Sequence, residues 1–290
     1  MQKLSIVIVN YNGKDFLRHC LTSLYGSKDL FHFETIVVDN GSQDGSPKMV
    51  KDEFPQVRLI QNLENLGFAR ANNIGIGAAR GEYILLLNSD TTILGDALRE
   101  LVSFLAAHRD VGVVTGRLVY PDFQDQGVAR SFPTPMNALF GRRSILTRIF
   151  PNNKISKRYL MSRIHRSDDP FEVDWVSGAC LMVKKGVLEE VGYLDERFWM
   201  YWEDADLCYR IKQKGWKIYC VPKAVVIHHE GKSTSKRASR RCIIEFNRNA
   251  YRYYRKHHIR SPFELKNVAA LIGLLIRTFV LLGINVMKKG

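Results

Sequence analysis

No Gly-x-Gly-x-x-Gly follows the first apolar run, and no Gly-x-x-x-x-Gly-Lys-Ser/Thr loop occurs in the chain, which argues against a dinucleotide oxidoreductase and a P-loop nucleotidase. Cysteine is sparse: Cys20, Cys180, Cys208, Cys220 and Cys242 are odd in number, widely spaced and free of any Cys-x-x-Cys. That pattern argues against a disulfide framework or a zinc site, and for buried thiols in a reducing compartment. The N-terminus runs directly into a strand pattern without the basic, apolar and small-residue succession of a secretory signal, so a cytoplasmic location is expected. Internal repeats and low-complexity segments are missing too. Acidic residues are in deficit: Lys+Arg 43 against Asp+Glu 29 leaves a net charge of +14. Such a balance implies an anionic partner, whether nucleic acid, a phosphorylated small molecule or an acidic membrane face.

What is present is a chain of 290 residues with ordinary apolar content (46%), long enough to bury a full core. Leu4 to Val9 is a continuous apolar, β-branched run, and Phe16, Leu17, Cys20, Leu21 and Leu24 then follow helical spacing. The alternation continues: Glu34 to Val38 reads as a strand, Ser46 to Phe54 a helix, Val57 to Gln61 a strand, Gly67 to Arg80 a helix and Tyr83 to Leu87 a strand. This predicts an α/β, doubly wound, mostly parallel sheet. Leu98 to Ala107 reads as a helix, and Gly112 to Val119, Val173 to Lys184 and Trp216 to Val221 as strands.

Ligands of such sheets bind beyond the carboxyl ends of the strands. Those ends carry Asn10-Tyr11-Asn12-Gly13, Asp39-Asn40-Gly41-Ser42, Asn62 with Asn65 and Gly67 beyond it, and Asn88-Ser89-Asp90. Any one of these is ordinary turn chemistry, but four on one edge suggest a site. Further on, Trp199 to Arg210 sets Glu203, Asp204 and Asp206 in an aromatic run. A carboxylate packed among aromatics is a candidate proton acceptor, while the same acids also suit the first turn of a helix. Here the helix is expected from Asp206 and Leu207 onward, with Glu203 and Asp204 at its mouth.

Seven ordered segments carry a resemblance: Ser5-Ile-Val-Ile-Val-Asn-Tyr-Asn-Gly13, Val38-Asp-Asn-Gly-Ser-Gln-Asp-Gly45, Asn65-Leu-Gly-Phe-Ala-Arg-Ala-Asn-Asn-Ile-Gly75, Leu87-Asn-Ser-Asp-Thr91, Val176-Ser-Gly-Ala-Cys180, Tyr201-Trp-Glu-Asp-Ala-Asp-Leu-Cys208 and His228-His-Glu-Gly-Lys-Ser-Thr234. Together they resemble the inverting family-two glycosyltransferases of GT-A fold, in particular the bacterial rhamnosyltransferase-like branch.

The resemblance implies a nucleotide-diphospho-sugar donor held by Asn10, Tyr11, Asn12, Asp39, Gly41, Asn65, Gly67, Arg70, Asn73 and Ser89, with Asp39 against a uracil or thymine. It implies Mg2+ or Mn2+ on Asp90 and His228, with His229 the alternative if the register differs by one. The family's Asp-x-Asp stands here as Asn88-Ser89-Asp90, which leaves Asp90 the main protein ligand. Asp204 becomes the general base with Glu203 beside it, and Gly178, Ala179, Trp199 and Trp202 line the acceptor or sugar side. Two rivals are a basic nucleic-acid-binding protein and a nucleotidyltransferase on a related sheet. The first leaves the acidic strand ends unexplained, and the second lacks its N-terminal Gly-rich loop.

The transferase domain is expected over residues 1–235, with a basic and aromatic insertion at 121–170 that includes Arg142, Arg143, Lys157 and Tyr159. Residues 236–290 form a C-terminal helical region. Its first part is rich in arginine, and Val268 to Met287 is predominantly apolar but interrupted by Arg277. A central Arg costs about 2.5 to 3.5 kcal/mol in a spanning helix, so a helix lying on an anionic membrane surface is expected. A spanning helix and a core or oligomer helix are the alternatives. The expected setting is peripheral, on the cytoplasmic face of the plasma membrane, with a glycan or lipid-linked saccharide as acceptor and no nucleic acid.

Overall fold

The computed structural model describes residues 3–26, 32–127, 130–133, 168–229, 240–261 and 263–287. Most of the basic insertion therefore lies outside the described residues. Strand β1 (Leu4–Asn10) is apolar on both faces and almost fully buried, as a central strand covered on two sides must be. It pairs in parallel with β2 (Phe33–Asp39) and β4 (Tyr83–Asn88), and β2 in turn with β3 (Arg58–Gln61). The crossovers are α1 (Lys14–Gly26), α2 (Ser46–Glu53) and α3 (Phe68–Ala78).

After β4 come β5 (Thr91–Ile93), α4 (Ala97–Ala107), β6 (Val111–Val119), β7 (Phe171–Val173), β8 (Cys180–Lys184), α5 (Lys185–Val191), α6 (Glu203–Gln213) and β9 (Lys217–His228). Helices α7 (Arg240–His258) and α8 (Leu265–Met287) follow. The sheet order is β3-β2-β1-β4-β8-β6-β9-β5, with β7 on β9. Strand β8 is antiparallel to β4 and β6, whereas β6 and β9 are parallel.

Both faces of the sheet are covered. Ile6, Ile8, Leu85 and Leu87 meet Leu17, Leu21, Leu98 and Leu101 of α1 and α4. The alternate residues Val7, Ile36, Ile84 and Leu86 meet Ile76 of α3, Leu188 of α5, Leu207 and Ile211 of α6, and Tyr253 of α7. The period of two along β1 and β4 thus fills two cores at once.

Three sequence boundaries change. The expected strand from Val173 to Lys184 divides into β7 and β8, because residues 174–179 turn the chain toward the sheet edge that carries Asn88. Helix α6 starts at Glu203, three residues before the expected Asp206. Trp216 to Val221 and the apolar run after it form one strand, β9, because Pro222 sits at a bulge opposite Gly116 and Arg117. Glycine is required at 116: a Cβ there would lie 2.3 Å from the Ala224 carbonyl oxygen. Cys20, Cys180, Cys208 and Cys220 are buried free thiols, and burial pushes the Cys20 thiol up to about 12.

Candidate active site

Strand register gathers the polar residues on one edge. Asn10 lies opposite Asp39, Val9 opposite Asn88, Leu87 opposite Cys180, and Thr91 opposite His228. Because β8 runs against β4, its beginning, with Gly178 and Ala179, joins the carboxyl ends of β1, β2 and β4. The Asn88 N–H donates to the Ala179 carbonyl at 3.0 Å.

The loop after β2 is tied to its neighbours by side-chain amides. Buried Asp39 accepts from Asn10 Nδ2 at 3.2 Å and from the Ser42 N–H at 2.9 Å. Asn12 accepts from the Gln43 N–H at 2.8 Å, and Tyr11 stands exposed beside it. Asn40 joins three segments: its Nδ2 donates to Asn65 Oδ1 and the Gly67 carbonyl, and its Oδ1 accepts from Asn62 Nδ2 and the Leu66 N–H. Asn40 was legible as an Asn after a strand, yet its role as the knot beneath the loop comes only from the contacts. Gly41, at φ +81, lies against the Glu64 backbone. Gly67 is at φ +89, and a Cβ there would overlap the Trp199 indole at 2.4 Å.

Asp90 and His228 meet because β5 pairs antiparallel with the end of β9. His228 Nε2 is 3.3 Å from Asp90 Oδ1 and 3.4 Å from Asn88 Nδ2. Gln126, not foreseen from the sequence, sets the imidazole: its Nε2 donates to the His228 carbonyl at 2.6 Å, which turns its Oε1 toward His228 Nδ1 at 2.9 Å. In the neutral imidazole this pairing assigns the proton to Nδ1 and leaves the Nε2 lone pair on the side of Asp90. A divalent cation suits two facing bases of this kind. Among the described residues no three His, Cys, Asp or Glu side chains cluster as metal ligands, so a cation at Asp90 and His228 would need other oxygens to complete its shell. His229, the alternative ligand, instead has its ring against Phe16 at 5.6 Å.

At the mouth of α6, Asp204 is half-buried. Its Oδ2 accepts from the Gly178 N–H at 3.0 Å and its Oδ1 from the Ala205 N–H at 2.8 Å. Burial lifts its carboxyl above the ordinary range, against the pull of these two N–H groups and of the Arg130 charge. Glu203 is buried and its Oε2 has no hydrogen-bond partner among the described residues. Burial, then the charge of Asp204, holds Glu203 well above the ordinary range. Burial would also raise Asp206, but His257, Lys256 and Arg210 outweigh it and hold that carboxyl low.

Three expected site residues make contacts within the protein. Asn73 donates to the Leu194 carbonyl and Glu196 and accepts from the Leu194 N–H, so both its donors are used in a joint between α3 and the turn before α6. Arg70, more than half exposed, leans toward Glu196 at 3.8 Å on the same joint. The partly buried Trp202 indole has its ring against Phe246 at 5.6 Å and Tyr253 at 5.3 Å, both from α7. The Trp199 indole lies against Gly67, with the Arg241 guanidinium 3.8 Å over its ring.

Residues 5–192 match the model of the family described as Glycosyl transferase family 2. The chain belongs to this family. This transferase is 30% identical over 244 residues to the N-acetylglucosaminyl-diphospho-decaprenol L-rhamnosyltransferase of Mycobacterium tuberculosis, covering 80% of this chain and 78% of that one. Among solved structures, it resembles GalNAc-T7 with UDP, GalNAc and Mn2+ (TM-score 0.62, 16% identity, 88% of this chain and 48% of that one). It also resembles the mannosyltransferase PcManGT of Pyrobaculum calidifontis in complex with GDP-Man and Mn2+ (TM-score 0.58, 18% identity, 98% and 75%). The fold is GT-A, and the chain is a glycosyltransferase rather than a nucleotidyltransferase.

The two buried carboxyls of α6 should give this transferase opposite pH signatures. Asp206 is held low in the fold, so its stabilisation is complete above the unfolded value of about 3.9 and is lost as pH falls through the folded one. Asp206→Asn should cost about 3 to 5 kcal/mol at neutral pH and remove part of the acid limb. Glu203 is held high, so its ionisation weakens the fold as pH rises past the unfolded value of about 4.3. Glu203→Gln should therefore stabilise the protein at neutral pH. Urea unfolding at stepped pH checks both; a Glu203→Gln protein weaker at every pH contradicts the assignment.

Proposed function

We propose that this family-2 transferase moves a sugar from a UDP- or dTDP-sugar to a glycan or lipid-linked saccharide with inversion, Asp204 serving as general base. The observation that carries the reading is the half-buried Asp204 carboxylate, held by the Gly178 N–H at the sheet edge shared by Asp39 and Asp90. Its raised pKa suits a group that must accept a proton near neutral pH. In the step we infer, the acceptor hydroxyl gives its proton to Asp204 as its oxygen attacks the anomeric carbon. The bond from that carbon to the diphosphate breaks, and its electron pair leaves with the diphosphate. Attack and departure on opposite faces invert the carbon.

On the donor side, Asp39 would accept from the imide N–H of uracil or thymine, with Tyr11 and Asn12 flanking the base. Asn10, Gly41, Asn65, Gly67 and Ser89 shape the loops around it. Asp90 and His228 would hold Mg2+ or Mn2+, and the facing carboxylate and Nε2 lone pair fit such an ion. When bound, the ion supplies positive charge to the leaving diphosphate. The first donor to test is dTDP-rhamnose, in keeping with the L-rhamnosyltransferase of M. tuberculosis, whose name also points to a lipid diphosphate acceptor.

The setting we infer is the cytoplasmic face of a membrane. Helix α8 is long and apolar enough to cross one by length and composition, with mean hydropathy 2.1 over an 18-residue stretch of Leu265–Val286 and little of it buried. Leu271, Ile272, Leu275, Ile276, Phe279 and Val280 are exposed. Yet α8 runs antiparallel along α7: Tyr251 donates to Asn267 at 3.0 Å, and Arg277 donates to Asn247 with its guanidinium 5.1 Å over Phe246. Spanning would draw Asn247, Arg248 and Arg255 toward hydrocarbon, so a helix lying in the interface is favoured, with the exposed arginines 240, 241, 248 and 255 near the headgroups.

Asp204→Asn should lose about 10²- to 10⁴-fold in turnover and keep its nucleotide affinity. Near-wild-type turnover would sink the base. Asp90→Ala should weaken nucleotide binding in Mn2+ and leave it unchanged in EDTA; full activity of the native chain in EDTA refutes the metal. A screen of nucleotide sugars read by released nucleotide names the donor.

The full chain should pellet with anionic vesicles at low salt and be released in large part at high salt, because the electrostatic part is screened. Extraction by detergent alone would show a spanning helix. Failure to pellet would show α8 covered by protein.

A further inference from the structure

Tyr201 and Trp202, the last residues before α6, both lie in the left-handed region at φ +70 and +76. Neither is glycine, and bulky side chains adopt this backbone only where their surroundings impose it. No side-chain cap at the α6 N-terminus does so. The ties come from α7, far along the chain and beyond the residues matched by the family model.

Fully buried Asn249 donates Nδ2 to the Met200 carbonyl at 2.9 Å. Phe246 sets its ring 5.6 Å from both Tyr201 and Trp202, and Tyr253 stands 5.3 Å from Trp202 on another side. Arg252 donates to the Arg197 carbonyl. Lys256 reaches Asp195 at 2.8 Å and Asp206 at 2.6 Å, and His257 reaches Asp206 at 2.7 Å. One helix therefore grips the backbone, rings and charges of residues 195–206. The left-handed pair turns the chain so that α6 opens with Asp204 at the Gly178 N–H. Relaxing either residue to an extended φ would swing that first turn away.

We propose that α7 is a positioning element of the active site, a clamp that imposes the left-handed Tyr201–Trp202 turn and so aims Asp204, with Asn249 as its central positioning residue. The proposal rests on Asp204 being the base. Steady-state turnover, donor KM and nucleotide affinity of the full chain test it in Asp204→Asn, Asn249→Ala, Arg252→Met and the double variant Tyr201→Gly/Asn249→Ala.

A base misplaced by about 1 Å costs up to about 10²-fold, so Asn249→Ala should lose kcat on that order while donor KM and nucleotide affinity hold within about twofold. Glycine takes φ +70 without steric cost, so Tyr201→Gly should recover about tenfold of that kcat in the double variant, which a merely structural Asn249 would not allow. If Asn249→Ala does not fold, Arg252→Met, which opens no buried hole, should show the same split. The clamp alone is overturned if Asp204→Asn is inactive while Asn249→Ala or Arg252→Met keeps wild-type kcat. It is overturned too if glycine at 201 rescues nothing. Normal turnover by Asp204→Asn removes the base and the clamp together.

Discussion

Asp206 has no exposed surface, and an anion removed from water must be answered by charge or the fold does not hold. Two cations and an imidazole answer it: Arg210 one turn along α6 at 2.9 Å, and Lys256 and His257 from α7. Arg210 does not stop there. Its other nitrogens donate to the carbonyls of Val191, Gly192 and Tyr193 at the end of α5. Lys256 is likewise shared with Asp195, whose carboxyl it and Arg197 hold below the ordinary range against burial. A single buried carboxylate thus joins α5, α6 and α7, and Asp204 stands on the first turn of the helix that this junction holds.

Within four positions, three acids live in three environments. Asp206 is surrounded by cations and stays ionised. Glu203 is buried with an oxygen that has no partner among the described residues, and stays protonated far into the range where a free glutamate ionises. Asp204 lies between, half-buried and bonded by two N–H groups. Only Asp204 combines access with a raised pKa, which is what the transfer of a proton from an acceptor requires. Local environment rather than residue type divides the roles.

Much of this was legible in the sequence. The continuous apolar runs at β1 and β4 and the helical spacing at α1 could belong to few folds other than a doubly wound sheet, and the polar strand ends marked the edge of the site. What was not legible was decided by contacts between distant residues. Asn73 looks like a polar residue of a binding motif until Leu194, more than a hundred positions away, takes both faces of its amide. Nothing in the sequence tells that Trp202 packs against Phe246 and Tyr253, some fifty positions away. Gln126 has no motif at all, and its effect on His228 passes through a tautomer. The start of α6 was misplaced because a left-handed aromatic pair before a helix has no local signature.

On the proposed reading, the GT-A sheet, the loops at its carboxyl edge and the accessible carboxylate at α6 serve a single displacement at a sugar carbon. The most direct measurement is the anomeric configuration of the product, by NMR, formed from a nucleotide sugar of known configuration that the full chain accepts. Inversion at the anomeric carbon is the predicted result. Retention would require a second displacement or attack on the face the diphosphate leaves, and would contradict Asp204 as a base acting on the acceptor from the opposite face.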